Sequence, residues 1–349
     1  MSNTAGRATL ATVAAAAGVS VATVSKVVNG RPDVAPSTRS RVESTLHQFG
    51  YEPRRGDRPR ADAIGLLFHG PLTTYSLEIL EGVLVAAADV GVEVTVARTD
   101  IGSERSAQLI RDRSVNDWQA VIAVTTAVSE LSALSRAHVP TVVIDPIGAP
   151  GVEIISVGAT NFAGGLAATQ HLLDLGHRHI AYVGGTTGAA CNQARLQGYR
   201  GAMEAAGARI PRGYVQTGTF MYEDGLVAGA ALLDLPQPPT AVFAANDEMA
   251  LGVLEAARTR GIRVPQDLSV LGFDDTEVAR VSSPPLTTIA QPLRRMGSVA
   301  LRTALRLGAG EHVDSYHVEL ATELVVREST APPRIELTGG SGRGRTKSA

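Results

Sequence analysis

Residues 14–25 read AAAAGVSVATVS, and the spacing of small and apolar positions there predicts two short helices joined by a tight turn. Leu10, Val13, Ala14 and Ala17 recur at helical spacing, with Thr9 where an N-cap belongs. Ala14 and Ala17 are small enough for a second helix to cross closely, and Gly18 supplies the left-handed turn. Beyond it, Ser20 is placed to cap a second helix whose Val24, Val27 and Val28 share one face. Val21, Ala22, Ser25, Lys26 and Asn29 then point away from that face. A third helix is read with Ser37 as its cap and with Val42, Leu46 and Phe49 along its inner side before Gly50. The region 8–52 is thus a small all-α domain of helix-turn-helix layout. Its outward side is either merely solvated or a reading surface.

Charge separates the two ends of the chain. Among the first 60 residues, nine bases face four acids, a surplus of five in a chain whose net charge is −2, which leaves −7 for the remainder. A basic head on an acidic body fits separate nucleic-acid-binding and ligand-binding modules. At 349 residues with 44% apolar content the chain holds two or three domains with sizeable cores. Its single cysteine, Cys191, excludes an internal disulfide framework and suits a reducing compartment. The opening MSNTAGRATLATVAAAAGVS lacks the layout of a signal peptide, so a cytoplasmic location is expected.

From residue 63 the pattern changes to apolar strands alternating with helices. AIGLLF, VEVTVAR, AVIAVT and TVVIDP form one series; IISVG, HIAYVGG, TAVFAAND and LSVLGFDD form a second. Alternation of this length implies doubly wound parallel sheets covered on both faces, here as two subdomains over 63–331 that split near 158 and 290. PPLTTIAQP carries the chain back towards the first, and the Gly-rich polar end, 332–349, reads as a disordered tail.

In such folds ligands sit beyond the carboxyl ends of the strands. The polar and aromatic residues just past each strand are Tyr75, Thr125, Asp145, Asn161 with Phe162, Arg195, Phe220, Asn246 with Asp247, and Asp274 with Asp275. Carboxylates, amides and a guanidinium match the hydroxyls of a sugar, and aromatic rings stack on its apolar faces. Each has a plainer reading: Asp247 as a helix cap, Phe220 as core, Arg195 in a surface ion pair, Asp145 and Asp275 as turn residues.

Residues 8–53 resemble, almost end to end, the DNA-binding domain of the LacI/GalR family of bacterial repressors. The likeness rests on Val13-Ala14, Ala17-Gly18-Val19-Ser20, Thr23-Val24-Ser25, Val28, Asn29, Val34, Thr38-Arg39, Val42 and Gly50-Tyr51 with Pro53. It extends to about residue 330 through LDLGHRHIAYVGG, the R-x-x-G-Y at Arg195, PTAVFAANDEMALG, LSVLGFDD and PPLTTIAQP, which look like the family's periplasmic-binding-protein-like effector domain. The resemblance implies a homodimeric regulator, a repressor of carbohydrate genes, that grips a pseudo-palindromic operator and answers to a small sugar. It implies that Val21, Ala22 and Lys26 set operator preference, and that Arg195, Asn246 and Asp274 help hold the effector. Thr9, Ser20, Thr23, Ser25 and Arg39 are the expected phosphate contacts, and Asn29 a base or backbone contact.

One departure concerns the linker, 53–62. Where the family carries a short helix with a leucine that wedges into the minor groove, this chain reads Arg54-Arg55-Gly56-Asp57-Arg58-Pro59-Arg60. Gly56 and Pro59 oppose a helix. Arg54 and Arg55 are read either as an extended arm along a narrow minor groove or as part of a charged linker. Other classes fit less well. A solute-binding protein for sugar transport would have no helix-turn-helix head. No cofactor or metal is expected: GGTTGAACNQ lacks a P-loop lysine, and no Cys/His cluster or G-x-S-x-G elbow is present, so an enzyme is not expected either.

Overall fold

The computed structural model describes residues 9–28, 34–49, 63–99, 108, 118–126, 131, 139–148 and 154–334. The chain divides into two compact units, Met1–Ala61 and Asp62–Ala349. Asn29, Arg54, Arg55, the linker and the end of the chain beyond residue 334 lie outside the described residues.

In the first unit, α1 (Leu10–Ala17) begins with Thr9 and Thr12 in a reciprocal capping box and ends at Gly18, whose φ of 64° is left-handed. The chain axis turns by 106° into α2 (Val21–Val28). Ser20 caps α2, its Oγ accepting from the Thr23 N–H at 3.0 Å. Val13, Ala14, Ala17, Val24, Val27 and Val42 form the core. The third helix, α3 (Pro36–Gln48), starts sooner than its serine implies. Arg39 N bonds to the Ala35 carbonyl, so Ala35 is the cap, Pro36 takes the first helical position and Ser37 lies inside the first turn. Phe49 lies just past the helix end and is 46% exposed, not part of the inner face.

The second unit holds two six-stranded sheets. The first is built from β1 (Ala63–His69), β2 (Glu93–Thr99), β3 (Trp118–Val124), β4 (Thr141–Ile144), β5 (Ile155–Ala159) and β11 (His317–Leu320), in the order β11-β5-β4-β3-β1-β2. The second comprises β6 (Ile180–Gly184), β7 (Val215–Thr217), β8 (Ala241–Ala244), β9 (Ser269–Asp274), β10 (Thr287–Ala290) and β12 (Glu323–Val325), in the order β12-β10-β9-β8-β6-β7. All pairings are parallel except β10 with β12. Apart from the last strand of each, both sheets follow one doubly wound order, with a switch point between β1 and β3 and again between β6 and β8. The strand IISVG belongs to the first sheet, beside β4 and β11, and not to the second series. A buried parallel strand looks alike in either sheet, and the chain changes lobe only after it.

Helices change lobes as well. α5 (Asn161–Asp174) follows β5 but packs on α6 (Ala190–Ala205) of the second lobe, whereas α10 (Leu293–Gly308) follows β10 but packs on α4 (Thr74–Val90) of the first. In the second lobe α7 (Tyr222–Leu233) pairs with α8 (Asp247–Thr259), and a short α9 (Glu277–Val281) follows β9. All three helix pairs cross through reciprocal glycines: Gly82 with Gly297, Gly165 with Gly198, Gly225 with Gly252. A Cβ at any of the six would overlap backbone of the partner helix.

The chain passes between lobes at Thr160, at Gln291-Pro292 and at Ala321-Thr322. The first and the last are tied together: Thr160 N bonds to the Leu320 carbonyl at 2.9 Å, and Thr322 N to Thr160 Oγ1 at 3.0 Å.

Candidate functional sites

In the first unit, burying Val24 and Val27 leaves Val21, Ala22 and Lys26 exposed on the opposite side of α2, with Thr23 and Ser25 half-buried at its edges. Val21 is 47% exposed although it is a branched apolar residue at the very start of the helix. Thr9 and Ser20 spend their hydroxyls on the caps of α1 and α2, which places both at helix N-termini, where backbone N–H groups favour an anion. Arg39 is half-buried in the first turn and a half of α3. Small apolar and basic groups on one exposed helix start are the equipment of a major-groove reader.

In the second unit, a cavity of about 340 Å³ lies between the lobes, with residues from both lobes in its lining. That is within the usual range of small-molecule sites, about 300–1,000 Å³. Of the eleven sequence candidates, Asp247 and Asp275 stand outside the lining and seven belong to it: Tyr75, Thr125, Asp145, Arg195, Phe220, Asn246 and Asp274. Asn161 and Phe162 do not. Asn161 stands behind Arg195, its Oδ1 accepting from Nε at 2.8 Å. Phe162 is 51% exposed at the start of α5, outside the lining.

The polar groups are held from behind. Arg195 is almost fully buried; Nη1 donates to the Ala245 carbonyl at 2.6 Å, and the guanidinium lies over the Phe273 ring at 3.8 Å. Asp274 Oδ1 sits 3.8 Å from Arg195 Nη1 and accepts from Gln291 Nε2 at 2.6 Å. Tyr75 donates its hydroxyl to Asp145 Oδ2 at 2.6 Å. Asn246 caps α8 through Oδ1 and donates Nδ2 to the Phe220 carbonyl at 3.0 Å. Asp247 is therefore not the cap. Buried beside Asn246, it accepts from Thr276 N, Thr276 Oγ1 and Thr288 Oγ1, and so ties α8 to β10 and the turn after β9. Asp275 pairs with Arg327 at 2.6 Å, away from the lining.

Burial dominates the electrostatics. It pushes the Tyr75 phenol well above its ordinary value, with Asp145 adding to the rise, so Tyr75 remains a donor. Burial raises Asp145 too, against the opposing pull of the Tyr75 hydrogen bond and Arg195. Asp274 is pushed well above the carboxylate range by burial, which Arg195 opposes and Asp247 reinforces. Asp247 is lifted by burial to about 7. Burial works to lower Arg195, but Cys191, Asp274 and Asp145 around it raise it overall, so it stays charged. The lining thus offers a phenol donor, two carboxyl groups that burial inclines to keep their protons, and one permanent cation.

Backbone strain gathers in the same place. Of the five non-glycine residues with positive φ among those described, Thr125 (50°), Asp145 (45°), Phe220 (70°) and Asp274 (115°) line the cavity. Each costs about 1–3 kcal/mol and persists only where surrounding structure enforces it, as at binding sites. The Phe220 ring also lies where a Cβ on Gly185 would stand, and so needs glycine there.

Sequence reasoning missed His69, Thr186, Thr219, Met221 and Cys191, which also line the cavity. His69 and Thr186 close β1 and follow β6, so the strand-end rule had the signal. Cys191 is half-exposed by surface area, yet burial pushes its thiol up to about 11, which disfavours the thiolate. Among the described residues no group of three or more His, Cys, Asp or Glu could hold a metal, and no single helix is long and apolar enough to cross a membrane.

A helix-turn-helix unit followed by two doubly wound lobes around a largely apolar cavity set with a few buried polar groups defines a ligand-responsive DNA-binding regulator. The comparisons agree. Residues 9–54 match the bacterial regulatory proteins of the lacI family, and residues 169–330 match the periplasmic binding protein-like domain. Catabolite control protein A of Priestia megaterium is 33% identical, over 92% of this chain and 99% of its own length. The HTH-type transcriptional regulator CelR of Thermobifida fusca is 36% identical, over 93% of this chain and 98% of its own. The solved complex of the regulator CelR with cellobiose superposes with a TM-score of 0.72 at 35% identity, covering 93% of this chain and 100% of that one. The lac repressor dimer bound to operator gives 0.71 at 28% identity, covering 93% of this chain and 99% of that one. The chain belongs to the lacI family of bacterial regulatory proteins.

Proposed function

We propose that this regulator is a homodimeric repressor of carbohydrate-utilisation or uptake genes, released from or driven to its operator by a small sugar held between the lobes. The observation that carries the reading is the cavity itself. Carboxylates, an amide and a guanidinium, each oriented by a second buried group, surround an aromatic wall at Phe220. A polyol needs such prearranged partners because each hydroxyl buried without one costs about 1–3 kcal/mol. Two relatives support the sugar: CelR is solved with cellobiose, and the ribose operon repressor of Escherichia coli is 32% identical over 92% of this chain. Val21, Ala22 and Lys26 read bases, Thr9, Ser20, Thr23, Ser25 and Arg39 touch phosphates, and Arg54 and Arg55 add to the contacts with DNA. A cytoplasmic location follows from that task, and no catalytic turnover is part of it.

The dimer contact is assigned to α4, which carries Leu77, Leu84 and Val85 at 41–54% exposure on the side away from its buried Ile79 and Val83. A transport protein accounts for the lobes but leaves the first unit without a task.

The test is fluorescence anisotropy on a labelled palindromic operator, titrated with cellobiose, ribose and a panel of other sugars. One sugar should change operator affinity at least fivefold, and the operator should change affinity for that sugar by the same factor. Arg195→Lys should keep operator binding but lose the response, since a lysine cannot hold both Asn161 and the Ala245 carbonyl while lying flat on Phe273. Operator binding indifferent to every sugar, in a protein that calorimetry shows to bind none, would sink the sensing half.

A further inference from the structure

Glu248 sits in the first turn of α8, next to Asn246 and Asp247, but does not line the cavity. Its Oε1 reaches across the cleft to the other lobe. There it accepts from Thr74 N at 3.1 Å and from Thr74 Oγ1 at 2.9 Å. Thr74 is the first residue of α4. The first N–H groups of a helix have no partner within it. In α4 the Ser76 N–H is met by the Thr73 side chain, and the Thr74 N–H is met by the carboxylate of the opposite lobe. The pairing also puts a negative charge at the positive end of a 17-residue helix.

At its far rim the cleft is joined through backbone groups. Ile147 and Ala189 form an antiparallel bridge, and Gly148 N donates to the Gly188 carbonyl at 2.9 Å. Among the described residues the cavity is therefore tied by one bridge of main chain and one of side chain. Only the second can be removed by substitution without touching the lining. The next residue along α4, Tyr75, is the cavity's hydroxyl donor to Asp145, so the tie and the ligand wall share one helix start.

We propose that Glu248 is a positioning residue for the effector response: by capping α4 from the opposite lobe, it holds the two lobes closed over the bound sugar. The inference rests on reading the cavity as the effector site, but not on which sugar fills it. Removing the carboxylate opens the cleft as a whole, so the loss is felt at the far rim as well as at Thr74.

The test is native-state hydrogen exchange on the full-length protein without ligand, read at the amides of Thr74 and Gly148, with calorimetry against cellobiose as the second arm. In Glu248→Ala both amides should exchange at least about tenfold faster, and cellobiose affinity should fall about tenfold to a hundredfold, the range for one hydrogen bond to a charged group. Glu248→Gln keeps the acceptor oxygen without the charge and should restore most of the Gly148 protection. Gly148 exchange in Glu248→Ala equal to wild type would show a purely local cap and overturn the proposal, whatever happens at Thr74. Because that arm needs no ligand, a wild-type protein that ignores cellobiose and all other sugars counts against the effector reading alone.

Discussion

Asp247 shows how much of this fold hangs on single buried groups. Its carboxyl takes three hydrogen bonds from Thr276 and Thr288 and is raised by burial to about 7, whereas in the unfolded chain it releases its proton near 3.8. Between about pH 4 and pH 7 the native state therefore holds more protons than the unfolded state, and stability falls as pH rises through that window before levelling off. Measured against Asp247→Asn, in which an amide replaces the titrating group, wild type should lose stability from pH 4 to 7; urea melts across that range check it. At the other end of the chain, Lys26→Ala should weaken operator binding by about 1–3 kcal/mol. A phosphate contact would also make the salt dependence shallower by about one unit, whereas a base contact would relax preference at one operator position. Salt titrations of wild type and variant, on intact and singly substituted operators, separate the two.

At this scale the sequence was legible wherever chemistry and position coincide. Asp145, Arg195, Asn246 and Asp274 were recognisable as polar groups where strands end, and they do meet in one cavity. Asn161 carried the same signal but is turned to hold Arg195, a distinction of side-chain direction that spacing does not encode. The cap at Asn246 rather than Asp247 was equally hidden, because either residue has the right chemistry for a helix start.

Among elements, buried runs were plain and edges were not. β6 and β9 are buried along their whole length, which a continuous apolar run announces. β7, β11 and β12 are three or four residues long and half-exposed, and no apolar run marks them. The lobe to which IISVG belongs was beyond reach for a related reason: periodicity reports burial, not partners. The paired glycines also read as neutral in a helix, since their role depends on what crosses them. Gly252→Ala puts a methyl into the Tyr222 carbonyl and the Leu226 N–H of α7. It should destabilise the second lobe by about 1–3 kcal/mol, lowering the urea midpoint with an unchanged slope. An exposed control, Ala206→Gly at the end of α6, should change little.

For the molecule as a whole, the dimer contact proposed on α4 predicts how tightly a palindrome is held. Leu84→Glu puts a charge into that stripe without entering the core. It should leave a folded monomer that still binds sugar but grips the operator at least about a hundredfold more weakly, because the second half-site no longer gains from tethering. Sedimentation velocity with anisotropy on full and half operators checks both parts. A variant that stays dimeric would move the contact elsewhere on the surface.

The triple passage between lobes has a consequence for how the protein is made. The second lobe takes nearly all its strands and helices from one continuous stretch, Asn161 to Ala290, and lacks only the edge strand β12. The first lobe draws Leu293, Met296, Ala300, Leu301 and Ala304 of α10 into its core and adds β11 at its sheet edge. As the ribosome delivers the chain from the amino end, the later half can settle while the earlier one still waits for its keystone helix. Until α10 emerges, the faces of α4 and the first sheet that it covers stand open to chaperones, and any stop codon before residue 293 leaves them that way.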